Sequence, residues 1–145
     1  MSIWKAQTTV MARPEAVLDV LTDPRACARW APVPFDVEGL DAPRLVAGSR
    51  ARVSGRLAGR RVGFDVEVHE AHHGRLSLAA SGPVGLDVDY ELLAAGRGSE
   101  VRASVSVRPG SGLTGRLIAH ATDALFAAGA LDAAVARIAR EAIAH

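Results

Sequence analysis

The C-terminal segment from Leu113 to His145 carries an apolar stripe at helical spacing. Its positions advance by alternating steps of four and three and are Leu117, Ala121, Ala124, Ala128, Leu131, Val135, Ile138 and Ala142. This spacing is typical of the buried face of an amphipathic helix. It predicts one long helix, roughly 45 Å from end to end at about 1.5 Å per residue. We expect Leu113 and Leu117 to hold one end of this helix to the rest of the protein. Leu131, Val135 and Ile138 should hold the other end.

Strands that the helix could cover are predicted upstream, where two segments specify each other as a hairpin. Residues 50–57 and 61–68 both alternate between apolar and mostly charged side chains, which is the pattern of half-buried strands. With Ala58-Gly59 as the turn, the facing pairs are Arg50 with Glu67, Arg52 with Asp65, Ala51 with Val66 and Val53 with Phe64. Opposite charges meet on one face and apolar side chains on the other, and a slip of one residue would destroy both matches.

The other segments complete an α+β pattern within one domain, residues 1–145. A second hairpin has its turn at Gly96-Arg97 and pairs Glu91 with Arg102, Leu92 with Val101 and Tyr90 with Ala103. Further predicted elements are a strand over Ile3–Ala12, a helix from Pro14, a short helix over Pro24–Trp30, and strands over Phe35–Leu40 and around Leu76–Ala80. The chain order therefore predicts one antiparallel sheet of about six or seven strands with two short helices after the first. The apolar face of this sheet must be covered, and the terminal helix is long enough to cover it.

Composition excludes several classes of protein. The chain has 145 residues, of which 49% are hydrophobic, and its formal net charge is +1. Such a balance argues against a nucleic-acid binder, which would carry a basic face. Cys27 is the only cysteine, so no intrachain disulfide can form. No stretch has the features of a signal peptide or the ~20 apolar residues of a membrane span. We therefore expect a cytoplasmic protein without stable membrane insertion and without a nucleic-acid partner.

Several short stretches occur in the order seen in one known superfamily. They are Ala12–Val17, Leu21–Pro24, Trp30 followed by Pro32, Gly48-Ser49-Arg50, Glu91-Leu92 followed by Gly98–Val101, and Gly112–Arg116. Together they resemble the START-like superfamily, also called Bet v 1-like or SRPBCC, and within it bacterial polyketide cyclase/dehydrase-like proteins. The resemblance implies a helix-grip fold, in which a curved antiparallel sheet wraps around the C-terminal helix and encloses a cavity. Members bind apolar or amphipathic small molecules, and some are enzymes. The resemblance implies the fold more firmly than the activity.

A ligand cavity is expected between the apolar sheet face and the helix. Its predicted ligand-binding residues are Trp30, Phe35, Val53, Phe64, Val66, Leu78, Val88, Tyr90, Val105, Ala121, Ala124 and Ala128. The three helix alanines leave room where leucines would fill it, and Ala51, Gly55 and Ala103 do the same from the sheet. The alternative is that these small residues simply let helix and sheet pack closely, with no void.

Three polar residues are candidates for chemistry inside such a cavity: Tyr90, His120 and Asp132. Tyr90 could donate a hydrogen bond to a ligand oxygen, and His120 could act as an acid or base. The alternative for His120 is a helix residue at the pocket rim or in solvent. The alternative for Asp132 is a solvated flank or a structural hydrogen bond, and we favour the alternative in both cases. Cys27 is expected to be a packed thiol.

Metal and cofactor chemistry are not expected. His69, His72 and His73 cluster with Glu70, but nothing in their arrangement fixes four ligands in a tetrahedron. No phosphate-binding loop or dinucleotide fingerprint is present. We therefore predict no metal ion and no organic cofactor.

The helix face opposite the stripe is unusually apolar and comprises Ala119, Thr122, Phe126, Ala130 and Ala133. It suggests a homodimer contact centred on Phe126; a bland alanine-rich surface is the alternative. The leading functional hypothesis is binding of an apolar or aromatic small molecule, lipid- or polyketide-like, without covalent chemistry. The second is a polyketide aromatase/cyclase or dehydratase that uses acid/base groups in the same cavity. A partner-binding accessory protein acting through the Phe126 face is the third.

Overall fold

The predicted α+β helix-grip architecture is confirmed in a computed structural model, which describes residues 2–31, 35–57, 59–72 and 74–144. The elements are β1 (Ser2–Val10), α1 (Pro14–Thr22), α2 (Pro24–Trp30), β2 (Phe35–Leu40), β3 (Arg50–Leu57), β4 (Arg60–His72), β5 (Arg75–Ser81), β6 (Gly85–Ala95), β7 (Gly98–Arg108), α3 (Gly112–Ala127) and α4 (Ala130–Ala144). The seven strands form one antiparallel sheet in the order β1-β7-β6-β5-β4-β3-β2.

Both predicted hairpins have the predicted register. In β3–β4, Arg52 faces Asp65 and their side chains form an ion pair at 2.9 Å on the outer face. In β6–β7, Tyr90 faces Ala103, and Gly96 takes the positive φ of +59° that the turn requires. Ala58 of the first predicted turn lies outside the described residues. Charge pairing on one face and apolar pairing on the other are therefore enough to specify these registers.

Helix α2 is held against α4 by arginine side chains. The guanidinium of Arg137 donates from Nε to the Trp30 carbonyl (3.3 Å) and from Nη2 to the Ala31 carbonyl (2.9 Å). Arg29 forms a two-pronged ion pair with Glu141, at 2.9 and 3.1 Å. A cation at the C-terminus of α2 satisfies its last carbonyls and complements the helix dipole. These contacts hold the end of α2, the helix that carries Trp30, against α4.

Replacing Arg137 by leucine is expected to lower the free energy of unfolding by about 2 kcal/mol, because two carbonyls lose a charged donor. Urea unfolding at neutral pH measures the change. The exposed Arg140 in the same helix provides a matched control, and Arg140→Leu should change stability by less than about 0.5 kcal/mol. Equal losses in the two variants would mean that the Arg137 hydrogen bonds contribute nothing specific.

The single long helix predicted for the C-terminus is wrong, because the segment forms two helices. Helix α3 ends before Gly129, whose φ of +97° is a left-handed conformation that suits glycine. The axes of α3 and α4 are bent by 58° at this break. Phe126 and Leu131 are 5% and 2% exposed. On one straight helix they would lie about 140° apart at 3.6 residues per turn. The break lets both side chains face the interior.

The predicted stripe is therefore correct in α4 and wrong in α3. In α4 the buried side chains are Leu131, Ala134, Val135, Ile138 and Ala142. In α3 the buried residues are Gly115, Ile118, Ala119, Thr122 and Phe126. Ala124 and Ala128 are exposed and Ala121 is half-buried. Leu113 is 84% exposed and Leu117 is 45% exposed, so neither holds the helix to the sheet as predicted.

The interior is divided into two apolar clusters. The larger lies where α1, α2 and α4 meet the inner face of the sheet, and includes Leu21, Val101 and Ile138. The smaller lies where α3 covers β3 to β5, and includes Phe64 and Ile118.

Of the described residues, no single helix is both long and apolar enough to cross a membrane. The bent pair of α3 and α4 would qualify together on length and composition.

Candidate functional site

A cavity of about 190 Å³ lies between the two clusters, under the concave face of the sheet. Nine of the predicted site residues line it: Trp30, Phe35, Val53, Phe64, Val66, Leu78, Val88, Tyr90 and Val105. Eight of them lie on strands β2 to β7, where alternation turns every second side chain inward, and Trp30 is the last residue of α2. Their role as ligand contacts stays a prediction.

The other lining residues are not among the predicted ligand contacts, although several of them, such as Val62 and Leu76, continue the inward series of the predicted strands. They are Leu21, Pro24, Cys27, Ala31, Val37, Leu40, Leu45, Leu57, Val62, Leu76, Ala80, Leu86, Thr122 and Phe126. Small residues Ala51 and Gly55 also line the cavity and leave space, as predicted. Ala103 is buried but does not line it, so that part of the prediction is wrong. Val37, on the edge strand β2, is 38% exposed, and Leu40 and Leu45 beside it are half-buried. We infer that the cavity opens on this side.

The helix contribution to the lining differs from the prediction. Ala121, Ala124 and Ala128 do not line the cavity; Thr122 and Phe126 do so instead. The prediction of one continuous helix places these two residues on the outer face, because it continues the apolar stripe of α4 through Gly129 at unbroken helical spacing. A glycine between two apolar stripes of different phase is the signal in the sequence for a helix break.

Phe126 is turned inward, so the subunit contact expected at this residue is misplaced. Its ring stacks on Trp4 with centroids 6.2 Å apart and planes at 27°. The Trp4 indole N–H donates to Asp123 Oδ1 at 3.0 Å, which ties α3 to β1. The Phe126 ring is therefore not part of an exposed face, and the homodimer itself stays a prediction.

Tyr90 is the most distinctive polar group of the cavity. It is 1% exposed, and its ring packs edge-on against Trp30, with centroids 5.6 Å apart and planes at 81°. Trp30 is itself fixed, because its indole N–H donates to the Val20 carbonyl at 3.2 Å. No described residue forms a hydrogen bond with the Tyr90 hydroxyl. Burial raises the pKa of Tyr90, the nearby Cys27 thiol adds to this, and Arg137 opposes it.

The other two polar groups of the lining are already bonded to backbone. Thr122 Oγ1 donates to the Ile118 carbonyl at 2.8 Å, and Cys27 Sγ donates to the Leu21 carbonyl at 3.2 Å. Burial, with a smaller contribution from Asp23, raises the pKa of Cys27 to about 12. Cys27 is therefore a packed neutral thiol, as predicted, and not a nucleophile.

The Cys27 thiol makes stability sensitive to alkaline pH. Above pH 9.0, the ordinary pKa, the unfolded chain loses this proton while the folded chain keeps it up to about pH 12. The free energy of unfolding should therefore fall by about 1.4 kcal/mol per pH unit in that window from this group. Cys27→Ala removes the contribution, so urea unfolding at about pH 8 and about pH 10.5 should show the two proteins converging in stability. A constant difference between them would contradict the raised pKa.

The remaining candidates for chemistry lie away from the cavity. His120 and Asp132 are exposed, in agreement with the interpretation as solvated flanks. His72 pairs with Glu70 at 2.9 Å on the surface, and His73 lies outside the described residues. Among the described residues, no three His, Cys, Asp or Glu side chains come together as a metal site would require. A second, open depression on the outer sheet face is charged, and includes the Arg52–Asp65 ion pair.

Comparisons with known proteins show which family the chain belongs to. Residues 3–142 match a family described as polyketide cyclase / dehydrase and lipid transport. No protein of curated function matches the sequence.

Three solved structures share the fold over nearly the whole chain. CV1439 from Chromobacterium violaceum has a TM-score of 0.72 at 16% identity, covering 97% of this chain and 96% of that one. TTHA0849 from Thermus thermophilus has a TM-score of 0.70 at 16% identity, covering 99% and 98%. Ara h 8.0201 has a TM-score of 0.63 at 13% identity, covering 99% of each chain. The chain therefore belongs to the polyketide cyclase/dehydrase and lipid-transport family of the START-like (SRPBCC) superfamily.

Proposed function

We propose that this protein binds one apolar or aromatic small molecule, lipid- or polyketide-like, in the cavity and does so without covalent chemistry. The observation that carries the proposal is the cavity itself, about 190 Å³ under the sheet and lined almost entirely by aliphatic and aromatic side chains. Small-molecule sites are typically concave and apolar with a few placed polar groups. The family description includes lipid transport, which is in keeping with such a site.

Affinity in the micromolar range is expected for a ligand of two or three rings. Removing about 300 Å² of apolar ligand surface from water contributes about 7 kcal/mol at about 25 cal/mol per Å². Part of this is lost to the entropy of association. A dissociation constant of about 10 μM corresponds to about 7 kcal/mol, so it is the tightest binding that this burial supports. The loss on association shifts the expected value towards about 100 μM.

The alternative function is a polyketide aromatase/cyclase or dehydratase. The free hydroxyl of Tyr90 supports it, because a donor in a dry cavity can polarise a substrate carbonyl. The reaction also needs a base, and the exposed His120 and Asp132 do not reach the cavity. If turnover of a polyketide-like chain is found, Tyr90→Phe should abolish it and His120→Ala should not.

Titration with N-phenyl-1-naphthylamine, a neutral probe that fluoresces in apolar surroundings, tests the binding proposal. We expect a saturable rise in fluorescence with one site per chain and a dissociation constant on the order of 10–100 μM. The same titration in a denaturing concentration of urea should give no rise. The absence of saturable binding by the folded protein would overturn the proposal.

A further inference from the structure

We propose that the cavity selects a neutral ligand that carries one buried hydrogen-bond acceptor oxygen, placed against the Tyr90 hydroxyl, and that it excludes ionised carboxylates. This inference rests on the proposed binding function and names the chemical class of the ligand.

The described lining of the cavity is uncharged. Among the described residues, none of the side chains that line the cavity is an arginine, lysine, histidine, aspartate or glutamate. An ionised carboxylate would therefore lose its hydration without gaining a cation, which is strongly unfavourable. The guanidinium of Arg137 is close enough to affect Tyr90, but it donates to the carbonyls of Trp30 and Ala31.

Hydrogen bonding supplies the second argument. The hydroxyl of Thr122 and the thiol of Cys27 already donate to backbone carbonyls. Tyr90 alone keeps a free donor among the polar side chains of the described lining. A buried tyrosine hydroxyl normally has a partner. A ligand carbonyl or ether oxygen would supply that partner.

Geometry supplies the third argument. The Tyr90 ring is held between its strand and the edge of Trp30, and Trp30 is fixed by its bond to the Val20 carbonyl. The hydroxyl therefore stays in one place and does not have to be ordered when a ligand arrives, which favours affinity. The raised pKa of this phenol keeps its proton available for donation at neutral pH.

Three naphthalenes of similar size test the selection by isothermal titration calorimetry. They are 2-ethylnaphthalene, which has no acceptor, 2-acetylnaphthalene, which has one, and 2-naphthoate, which is anionic at pH 7. The hydrocarbon and the ketone should bind. The naphthoate should bind about 100-fold more weakly at pH 7 and gain about tenfold per pH unit as the pH falls towards 5, where its neutral acid becomes populated. The Cys27 thiol, which acts on Tyr90, stays protonated in this range because burial raises its pKa to about 12.

Variants that lack a single hydroxyl group test whether Tyr90 recognises the ligand oxygen. Tyr90→Phe should weaken the ketone about tenfold, because its oxygen is then buried without a donor, and should leave the hydrocarbon unchanged. Thr22→Val is the matched control, since it removes a buried hydroxyl that does not line the cavity and is already bonded to the Leu18 carbonyl. It should change the affinity for neither compound.

The two proposals fail in different ways. If none of the three compounds binds, the proposed function is overturned and this inference with it. If 2-ethylnaphthalene binds but the ketone responds to Tyr90→Phe no more than the hydrocarbon does, only the role of Tyr90 is overturned. If naphthoate binds as tightly as the ketone at pH 7, the exclusion of anions is overturned.

Discussion

Replacing Ala51 by phenylalanine is expected to abolish binding of N-phenyl-1-naphthylamine while the protein becomes slightly more stable. Ala51 faces Val66 across the β3–β4 ladder and lines the cavity. An aromatic ring at this position would occupy the space that a ligand needs. Filling a void with apolar atoms commonly adds about 0.5–2 kcal/mol to the free energy of unfolding. Opposite signs for affinity and stability are the signature of a cavity kept open for function.

Ala124→Phe is the control for this experiment, because it makes the same exchange at an exposed position of α3. It should leave probe affinity within about twofold and stability within about 0.5 kcal/mol. The same variant also tests the corrected phase of the helix, since the continuous-helix prediction places Ala124 in the cavity. Loss of binding in Ala124→Phe with retention in Ala51→Phe would restore the continuous-helix prediction and refute the described lining.

The largest loss of stability is expected from Gly110→Ala, at about 3 kcal/mol. A Cβ atom on Gly110 would clash with the carbonyl oxygen of Pro83 and approach the Cα atom of Gly115 at 3.3 Å. Both neighbours are backbone atoms, which cannot turn aside as a flexible side chain would. The start of α3, where Gly115 is buried, would have to move away from the sheet. Urea unfolding followed by circular dichroism measures the loss.

Gly39→Ala provides the comparison for Gly110→Ala. A Cβ atom on Gly39 meets no atom within 4 Å, so this variant should unfold within about 0.5 kcal/mol of the parent protein. The close packing of α3 on Gly110 would be refuted if the two alanine variants were equally stable.

The sheet could be predicted from the sequence because neighbouring residues define each strand and two independent patterns, charge and hydrophobicity, define its pairing. In the hairpin of β3 and β4, Arg52 and Asp65 match in charge on one face while Val53 and Phe64 match in hydrophobicity on the other. Only one register satisfies both. Period-two alternation then identifies the inward residues of each strand, and all the strand side chains predicted for the site do line the cavity.

The helical half could not be predicted in the same way. The predicted stripe of α4 extends through Gly129 into α3. One residue in a left-handed conformation, Gly129, is enough to change which side of the following helix faces the interior. Both faces of α3 are largely apolar, since Leu117 lies on one and Phe126 on the other. Periodicity could therefore not decide which face is buried.

The chemistry of the site also depends on tertiary structure. The sequence offers Tyr90 and His120 as candidates and favours a position outside the cavity for His120, but helical spacing alone does not establish it. Burial separates them, because Tyr90 is 1% exposed and His120 is on the solvent side of α3. That the Tyr90 hydroxyl is free, whereas that of Thr122 is bonded, follows only from the packed arrangement.

The most direct test of the cavity as a binding site is a crystal structure of the protein with 2-acetylnaphthalene. We predict one molecule between the inner face of β4 to β6 and α3, with its rings against Leu78 and Phe126. Its carbonyl oxygen should lie at hydrogen-bond distance from the Tyr90 hydroxyl. The prediction would be contradicted if electron density for 2-acetylnaphthalene appeared only in the charged depression on the outer sheet face and side chains filled the interior.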